Sequence, residues 1–373
     1  FSYEIEDNGD GTCVLTAVHG VPNVKVELPS VVNGKTVTSL GCRIFKDYPD
    51  DDSGFLIPEI VIPDTVTRFN FHFLDMQDNP HVGRVVLPSA LKQIEGVDDE
   101  DAPGWTPLNS DMLVSLSFSD GRTSNADGTY FLTGEGNRML VHKGVTSKGD
   151  VYQNLIAYAG NFYREGLNQS PATIRIPDGI TGIAASVFED MDSTRVISFP
   201  ASFRQLGDDR GFGWVPPLEK VEIRGGNSGP YRIIGNSLVD TRTRTLMQAT
   251  LNTVIPSDGS VTRIATWSFI IYPYSNGVVG DFLDIVVPDA VEEIGVSAFV
   301  DAGLSSVTVG KGVRLIGGGA FASLKVADDK GIRFFSIAAD NPTYEVVNGC
   351  IIRKTDKTFV SPAVPQRQYR YKV

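Results

Sequence analysis

The chain is poor in the residues that build metal and redox sites. Of its 373 residues only three are cysteine and four histidine. Cys13, Cys42 and Cys350 form no CxxC pair and no Cys/His cluster, and an odd count leaves at least one thiol unpaired. A Cys13–Cys42 bridge is open to the sequence, but buried free thiols are the favoured reading, since cysteine packs as a small hydrophobe. His19, His72, His81 and His142 share no metal-ligand spacing, so neither a metal nor another cofactor is expected. Basic charge is in deficit: 33 Lys plus Arg against 45 Asp plus Glu, a net of −12. That balance argues against nucleic acid, whose backbone is held by clustered Lys and Arg, and against an anionic membrane surface. No apolar run approaches the roughly 18–20 residues that span a bilayer, so no transmembrane segment is expected in this chain. The sequence opens at Phe1 without Met, basic n-region or apolar h-region, so a targeting segment is expected to have been removed or the sequence trimmed.

Punctuation is abundant, with 38 Gly and 21 Pro, which favours many short strands over long helices. One phrase returns: two or three β-branched residues, a proline, then apolar residues at fixed offsets. It reads IVIPDTVTRF at Ile60–Phe69, VVLPSALKQI at Val85–Ile94, IRIPDGITGI at Ile174–Ile183, ISFPASFRQL at Ile197–Leu206 and IVVPDAVEEI at Ile285–Ile294. VTVGKGVRLI at Val307–Ile316 carries Gly310 in the proline's place. Counted from that residue, offset +3 holds Val66, Leu91, Ile180, Phe203, Val291 and Val313. Offset +6 holds Phe69, Ile94, Ile183, Leu206, Ile294 and Ile316, and +11 holds Leu74, Phe188, Phe299 and Phe321. Two looser copies follow Pro29 (Val37, Leu40, Phe45) and Pro256 (Val261, Ile264, Phe269). Repeat lengths in the twenties mark a stacked unit that cannot bury its own apolar side alone.

The offsets predict a coil. Alternation before the proline gives a short strand with one face inward. Proline has no N–H to give a ladder, so it ends the strand and turns the chain. Offsets +3 and +6 bring a second arm back over the core, and the aromatic at +11 plugs the far edge, expected on a single helical turn. The fold class is therefore a β-rich solenoid of short parallel strands with inserted β-hairpins.

These residues resemble the BspA-like leucine-rich repeats, also called the Treponema pallidum type, with the pattern L-x-x-I-x-I-P-x-x-V-x-x-I-G-x-x-A-F. The segment Leu304–Phe321 matches it nearly in full, and Phe1–Phe45, with a hairpin around Asn8-Gly9-Asp10-Gly11, is similar to the usual opening of such proteins. The resemblance implies a right-handed leucine-rich-repeat stack, α/β horseshoe-like in plan. It departs from the pattern at Gly211 and Asp99, where +11 has lost its aromatic.

Three insertions interrupt the array. Tyr231-x6-Leu238-x7-Leu246 and Tyr344-x6-Ile351-x7-Phe359 share one spacing, and Tyr130 through Leu140 to Ile156 is an enlarged version. With tight turns at Asn236-Ser237 and Asn348-Gly349, they read as β-hairpins. Residues 1–373 are thus expected to form one continuous solenoid, in blocks of about 1–163, 164–251 and 252–373, each ending in a hairpin.

Candidate site residues are few. Trp105 and Trp214 lie in matching Gly/Pro-rich loops after acidic patches, and the favoured reading is that each replaces the missing +11 aromatic; the alternative is an exposed anchor. Trp267, Tyr272 and Tyr274 pose the same choice. Trp105, Trp214, Tyr272 and Tyr274 are the candidate binding residues. No catalytic residue is assigned. His19 and Ser228 stand in segments near those of trypsin-like proteases, but the oxyanion-hole turn fails at Pro230. Glu6-x-Asn8-x-Asp10-Gly11 lacks the twelfth-position Glu of a calcium loop, Ala17 standing there. The resemblance implies a secreted protein, or one anchored to the bacterial cell surface, that binds host extracellular or other cell-surface macromolecules. The expected function is non-enzymatic binding or adhesion by protein–protein contact; the alternative is a glycan-binding component of a nutrient-capture system.

Overall fold

The computed structural model describes residues 1–20, 24–45, 56–70, 81–97, 106, 108, 113–160, 170–189, 191, 193–207, 212, 218–226, 229–269, 283–300, 302, 304–322 and 334–362. They fall into two compact units. The first comprises Phe1–Pro171, Arg175–Ser193 and Ser202–Asp208; the second comprises Ala172–Ile174, Thr194–Ala201 and Asp209–Val373.

In each unit the repeat folds as the offsets require, into a β-solenoid of stacked parallel strands. The strands before the prolines stack in parallel: in the first unit Val26–Glu27, Ile60–Val61, Arg84–Leu87 and Ser115–Phe118. Pro63, Pro88 and Pro288 then close a turn with the carbonyl, which accepts from the N–H at +3, that of Val66 (3.0 Å), Leu91 (3.2 Å) and Val291 (3.1 Å). Where Gly310 replaces proline, its N–H does donate, to the Val287 carbonyl (2.8 Å). The returning arms form a second parallel ladder in which Leu40 pairs with Phe69 and Phe69 with Ile94. In the second unit Leu246, Ile264, Ile294 and Ile316 pair in the same way.

All twelve residues at +3 and +6 of the six regular copies are buried, as are Val37, Leu40, Val261 and Ile264 of the loose ones. Eight of the twelve, with Val37, Leu40, Val261 and Ile264, merge into one apolar core cluster from Cys13 to Ala159 and another from Val239 to Ile351. Stacking thus supplies the apolar contact that one coil lacks. The glycine after the arm is there for closeness. A Cβ on Gly295 would stand 2.7 Å from the Thr266 nitrogen, and one on Gly317 2.5 Å from the Val296 nitrogen, both backbone atoms of the preceding coil.

The +11 aromatic does not ride on a helix. Ser186, Trp267, Ser297 and Gly319, each two residues before the plug, take left-handed φ values of 60, 56, 50 and 63°. Arg43 does the same before Phe45, at 47°. The kink swings the aromatic inward and leaves its backbone to bond the next coil, Phe269 N–H to Ala298 O (2.9 Å) and Phe299 N–H to Ala320 O (2.8 Å). The rings then meet, tilted at 4.5 Å between centroids for Phe269–Phe299 and stacked at 5.4 Å for Phe299–Phe321. In the copy that lost its aromatic at Gly211, Phe212 one position later is buried and stacks on Phe199 at 5.6 Å. Leu74 lies outside the described residues.

The chain opens on a hairpin, β1 (Ser2–Asp7) and β2 (Thr12–His19), and β2 starts the arm ladder by pairing in parallel with Lys35–Leu40. The insertions are three-stranded meanders rather than plain hairpins. They are β3 (Tyr130–Thr133), β4 (Met139–Val145) and β5 (Val151–Tyr158); β6 (Tyr231–Ile234), β7 (Ser237–Asp240) and β8 (Thr245–Gln248). A two-residue turn joins β6 to β7 at Gly235-Asn236, one residue earlier than expected, and another joins Tyr344–Val347 to Cys350–Arg353 at Asn348-Gly349 as expected; positive φ at both residues suits the strand twist.

The first two meanders start new ladders with their third strands: β5 pairs with Gly182–Ile183 and β8 with Arg263–Ile264. In the first and third, the opening tyrosine ends the ladder before. The Ile94 N–H donates to the Tyr130 hydroxyl (2.9 Å) and the Ile316 N–H to that of Tyr344 (3.1 Å), each hydroxyl standing where the next coil's carbonyl would be. A buried asparagine locks the tyrosine. Asn125 Nδ2 donates to the Leu91 carbonyl (2.8 Å) and its Oδ1 accepts from Tyr130 N–H (3.0 Å); Asn341 does the same with Val313 (3.2 Å) and Tyr344 (2.9 Å).

Asp127 braces the first of these caps, accepting from Thr129 Oγ1 (2.6 Å), Thr129 N–H (3.0 Å) and Asn125 Nδ2 (2.8 Å). The Thr129 hydroxyl bond, with the backbone and Asn125 bonds behind it, lowers the carboxyl's pKa from its ordinary 3.8. A depressed carboxyl pKa gives stability that is present above the ordinary value and lost as pH falls through the depressed one. Amide exchange at Tyr130 and Ile94 is therefore expected to accelerate selectively below pH 3.8, and Asp127→Ala to remove that acid dependence.

None of the three cysteines forms a disulfide. Cys13 is buried, with burial raising its pKa, while Cys42 is exposed and Cys350 half-buried, so the expectation of buried thiols holds for Cys13 alone.

Candidate binding surface

Trp105, Trp214, Tyr272 and Tyr274 lie outside the described residues. Trp267 is half-buried, its backbone the left-handed residue before the Phe269 plug.

The surface is built from the outward residues of the strands, because every second side chain must point away from the core. In the first unit that face sets ion-paired residues beside half-buried Val61 and Val86. Glu59 bridges Lys25 (3.2 Å) and Arg84 (3.3 Å), and Arg84 reaches Ser117 (3.3 Å). In the parallel sheet of Thr173–Arg175, Val196–Phe199 and Lys220–Ile223, Glu222 bonds Ser198 (2.7 Å) and Lys220 (2.5 Å).

The sheet of β9 (Leu283–Val287), β10 (Leu304–Val309) and β11 (Phe334–Ile337) is different. Its inner rows, Ile285, Val287, Val307, Val309 and Phe335, are buried. Outward, Val286 is 60% and Phe334 65% exposed. The register puts Phe334 beside Ser306, and Val286 beside Thr308, so two large apolar groups flank a floor of small hydroxyl residues. Asp284 bonds the Ser306 hydroxyl (2.6 Å) and closes one corner. No covering element lies over this trough among the described residues. The sequence reading passed over it, yet a signal was there: Ile285-Val286-Val287 and Phe334-Phe335 break the alternation, and in a strand with one inward face the extra apolar residue must point out.

A polar hollow of about 290 Å³ opens on the first unit's arm ladder, lined by Glu6, Thr16, Ser39, Cys42, Arg68 and Glu95 among others. Glu95 is already committed to Arg68 (2.7 Å) and Asn70 (2.9 Å).

The carboxyls with displaced pKa values are turn and ladder residues. Thr12 lowers that of Asp10 through its hydroxyl, and Lys220 and then Ser198 lower that of Glu222. Such shifts hold the group ionised, the reverse of what a general acid needs. His19 bonds Glu4 (3.1 Å) across the opening hairpin, and Ser228 lies outside the described residues. No group of three or more His, Cys, Asp or Glu able to hold a metal occurs among the described residues, and none of the described helices is long and apolar enough to cross a membrane.

Residues 162–236 and 271–328 match, in six copies, the profile of the BspA type leucine rich repeat region. No curated protein sequence matches the chain. Among solved structures the chain is similar to the pneumococcal vaccine antigen PcpA, with 13% identity over 91% of this chain and 84% of that one and a TM-score of 0.34. It is similar to a leucine-rich repeat protein from Eubacterium ventriosum, with 11% identity over 91% and 92% and a TM-score of 0.31. It is also similar to a leucine rich cell surface protein from Faecalibacterium prausnitzii, with 15% identity over 85% and 93% and a TM-score of 0.25.

Proposed function

We propose that this chain, whose repeats are BspA-type leucine-rich repeats, is a non-enzymatic binding protein that works outside the cell or on a bacterial surface and holds a macromolecular partner by protein–protein contact. The observation that carries the reading is the outward apolar pair Val286 and Phe334 on the β9–β10–β11 sheet. Lys25, Glu59, Arg84, Lys220 and Glu222 on the other two sheets are engaged in internal ion pairs, whereas Val286 and Phe334 would gain from a partner that excludes water. Repeat scaffolds suit such a role, because outward residues vary without touching the core. Adhesion to host or neighbouring-cell macromolecules is the form of binding proposed.

The test is capture of host matrix proteins and mucosal glycans on the immobilised chain, repeated with Val286→Asp/Phe334→Asp. The captured partner is expected to bind the double variant at least about ten-fold more weakly, as for loss of a hot spot. Undiminished binding by the double variant would overturn the assignment of the surface. Trp105, Trp214, Tyr272 and Tyr274 enter the same experiment as alanine variants, which lose signal on a glycan array if the partner is a sugar.

A further inference from the structure

The polar hollow on the first unit is built from side chains that the other repeats leave out. The residue after each arm, at offset +7, stands one step beyond the paired Leu15, Leu40, Phe69 and Ile94. In four of the six regular copies it is small: Ala184, Gly207, Gly295 or Gly317. In the other two it is Asn70 and Glu95, which the stack does not require. Both line the hollow. Asn70 Nδ2 donates to Glu95 Oε2 (2.9 Å), and the Arg68 guanidinium donates to Oε1 (2.7 Å). In the coil before, Gly41 keeps the glycine, its N–H on the Leu15 carbonyl (2.8 Å). A Cβ there would stand 3.2 Å from that carbonyl oxygen and 3.7 Å from Thr16 Cγ2. The missing side chain leaves room in a row that otherwise carries Thr16, Asn70 and Glu95.

The chemistry of the lining chooses the ligand. Arg68 and Asn70 have N–H groups beyond those given to Glu95, Glu6 and Glu95 supply acceptors, and Thr16 and Ser39 supply hydroxyls that do both. Glu95 is neutralised by Arg68, while Glu6 has no ion-pair partner among the described residues. An anion would therefore meet two carboxylates, and a cation would meet the guanidinium. A neutral hydroxyl suits both, accepting from N–H and donating to carboxylate. Half-buried Val14 adds an apolar patch for C–H groups. At about 290 Å³ the hollow is at the small end of ligand sites, which suits one ring. Arg68, Asn70 and Glu95 hold one another in place before a ligand arrives, so little side-chain freedom is lost on binding. We infer that the hollow binds a neutral saccharide ring, whose hydroxyls are held by Glu6 and the Arg68–Asn70–Glu95 array. It belongs to the first unit and the Val286–Phe334 trough to the second, so the two assignments stand or fall separately.

Amide NMR of the full chain, titrated with the methyl glycosides of glucose, galactose and mannose, tests it. At least one glycoside is expected to shift the amides of Gly41, Asn70 and Glu95 saturably, with a Kd of about 1–10 mM. Asn70→Gly/Glu95→Gly, which restores the small residue of the other copies, is expected to keep its circular dichroism and to bind at least about ten-fold more weakly. Glu6→Ala is expected to weaken binding at least about three-fold, and Val286→Asp/Phe334→Asp to leave it unchanged. The inference is overturned if no glycoside gives a saturable shift up to about 100 mM, or if Glu6→Ala or the folded glycine variant binds like wild type. It is overturned equally if methylammonium or acetate shifts the same amides at lower concentration than every glycoside.

Discussion

Phe299→Ala is expected to lower the unfolding free energy by about 3–5 kcal/mol, the usual cost of emptying a fully packed aromatic site. Phe299 is 1% exposed and lies between Phe269 and Phe321, touching the plug of the coil on either side. Its backbone N–H also bonds Ala320 O, so the cavity would open beside the ladder that joins the coils. The effect should therefore be cooperative across the second unit. In urea titration the midpoint should fall, and the amides of Gly295 and Gly317 should lose protection together. Phe359→Ala, which removes the same ring from an exposed position, should change stability by less than about 0.5 kcal/mol.

The second large effect is expected at Asn341. This side chain is fully buried and satisfies four backbone groups: it donates to the Gly310 (2.9 Å) and Val313 carbonyls and accepts from Thr343 (2.8 Å) and Tyr344 N–H. Alanine there leaves those groups unpaired in the interior, where an orphaned group costs about 1–3 kcal/mol. Allowing for partial relaxation, Asn341→Ala should cost about 2–4 kcal/mol by the same penalty. Tyr344→Phe, which takes only the hydroxyl from the Ile316 N–H, should cost nearer about 1 kcal/mol. Ordered unfolding by chemical denaturation of the two variants checks the ranking. Equal losses would mean that the tyrosine alone closes the ladder.

The core was legible from the chain because its signal is redundant. A proline that ends a strand and two apolar residues at +3 and +6 recur often enough that Ile183, Ile294 and Ile316 could be placed inside without any contact being known, and all three are buried. The meanders were legible as paired strands, since the spacing of Tyr231, Leu238 and Leu246 recurs in Tyr344, Ile351 and Phe359. The caps were not. Asn125 and Asn341 look like ordinary turn residues, and only tertiary placement shows that their amides reach the carbonyls at +3 of the coil before. Nor did composition announce the left-handed residue ahead of each plug, because arginine at 43, tryptophan at 267 and serine at 186 and 297 have no one side-chain chemistry; what they share is a backbone the stack imposes. Phe212 was missed for a smaller reason, a one-residue slip of the plug. The outward trough escaped because a search for polar chemistry and tryptophan passes over Val286 and Phe334, whose meaning lies in where they point. Trp105, Trp214, Tyr272 and Tyr274 stay with the binding experiment.

The central claim is that one coil's arm is hydrogen-bonded to the next while its isoleucine faces a shared interior. Native-state hydrogen exchange at the amides of Gly295 and Gly317, which donate to Ile264 O and Ile294 O at 2.8 Å each, reads this directly. Stacked coils predict that both amides exchange only through the cooperative opening of the unit, with the same free energy and the same loss in Phe299→Ala. Exchange of either at the rate of an unstructured peptide, while the rest of the second unit stays protected, would contradict it.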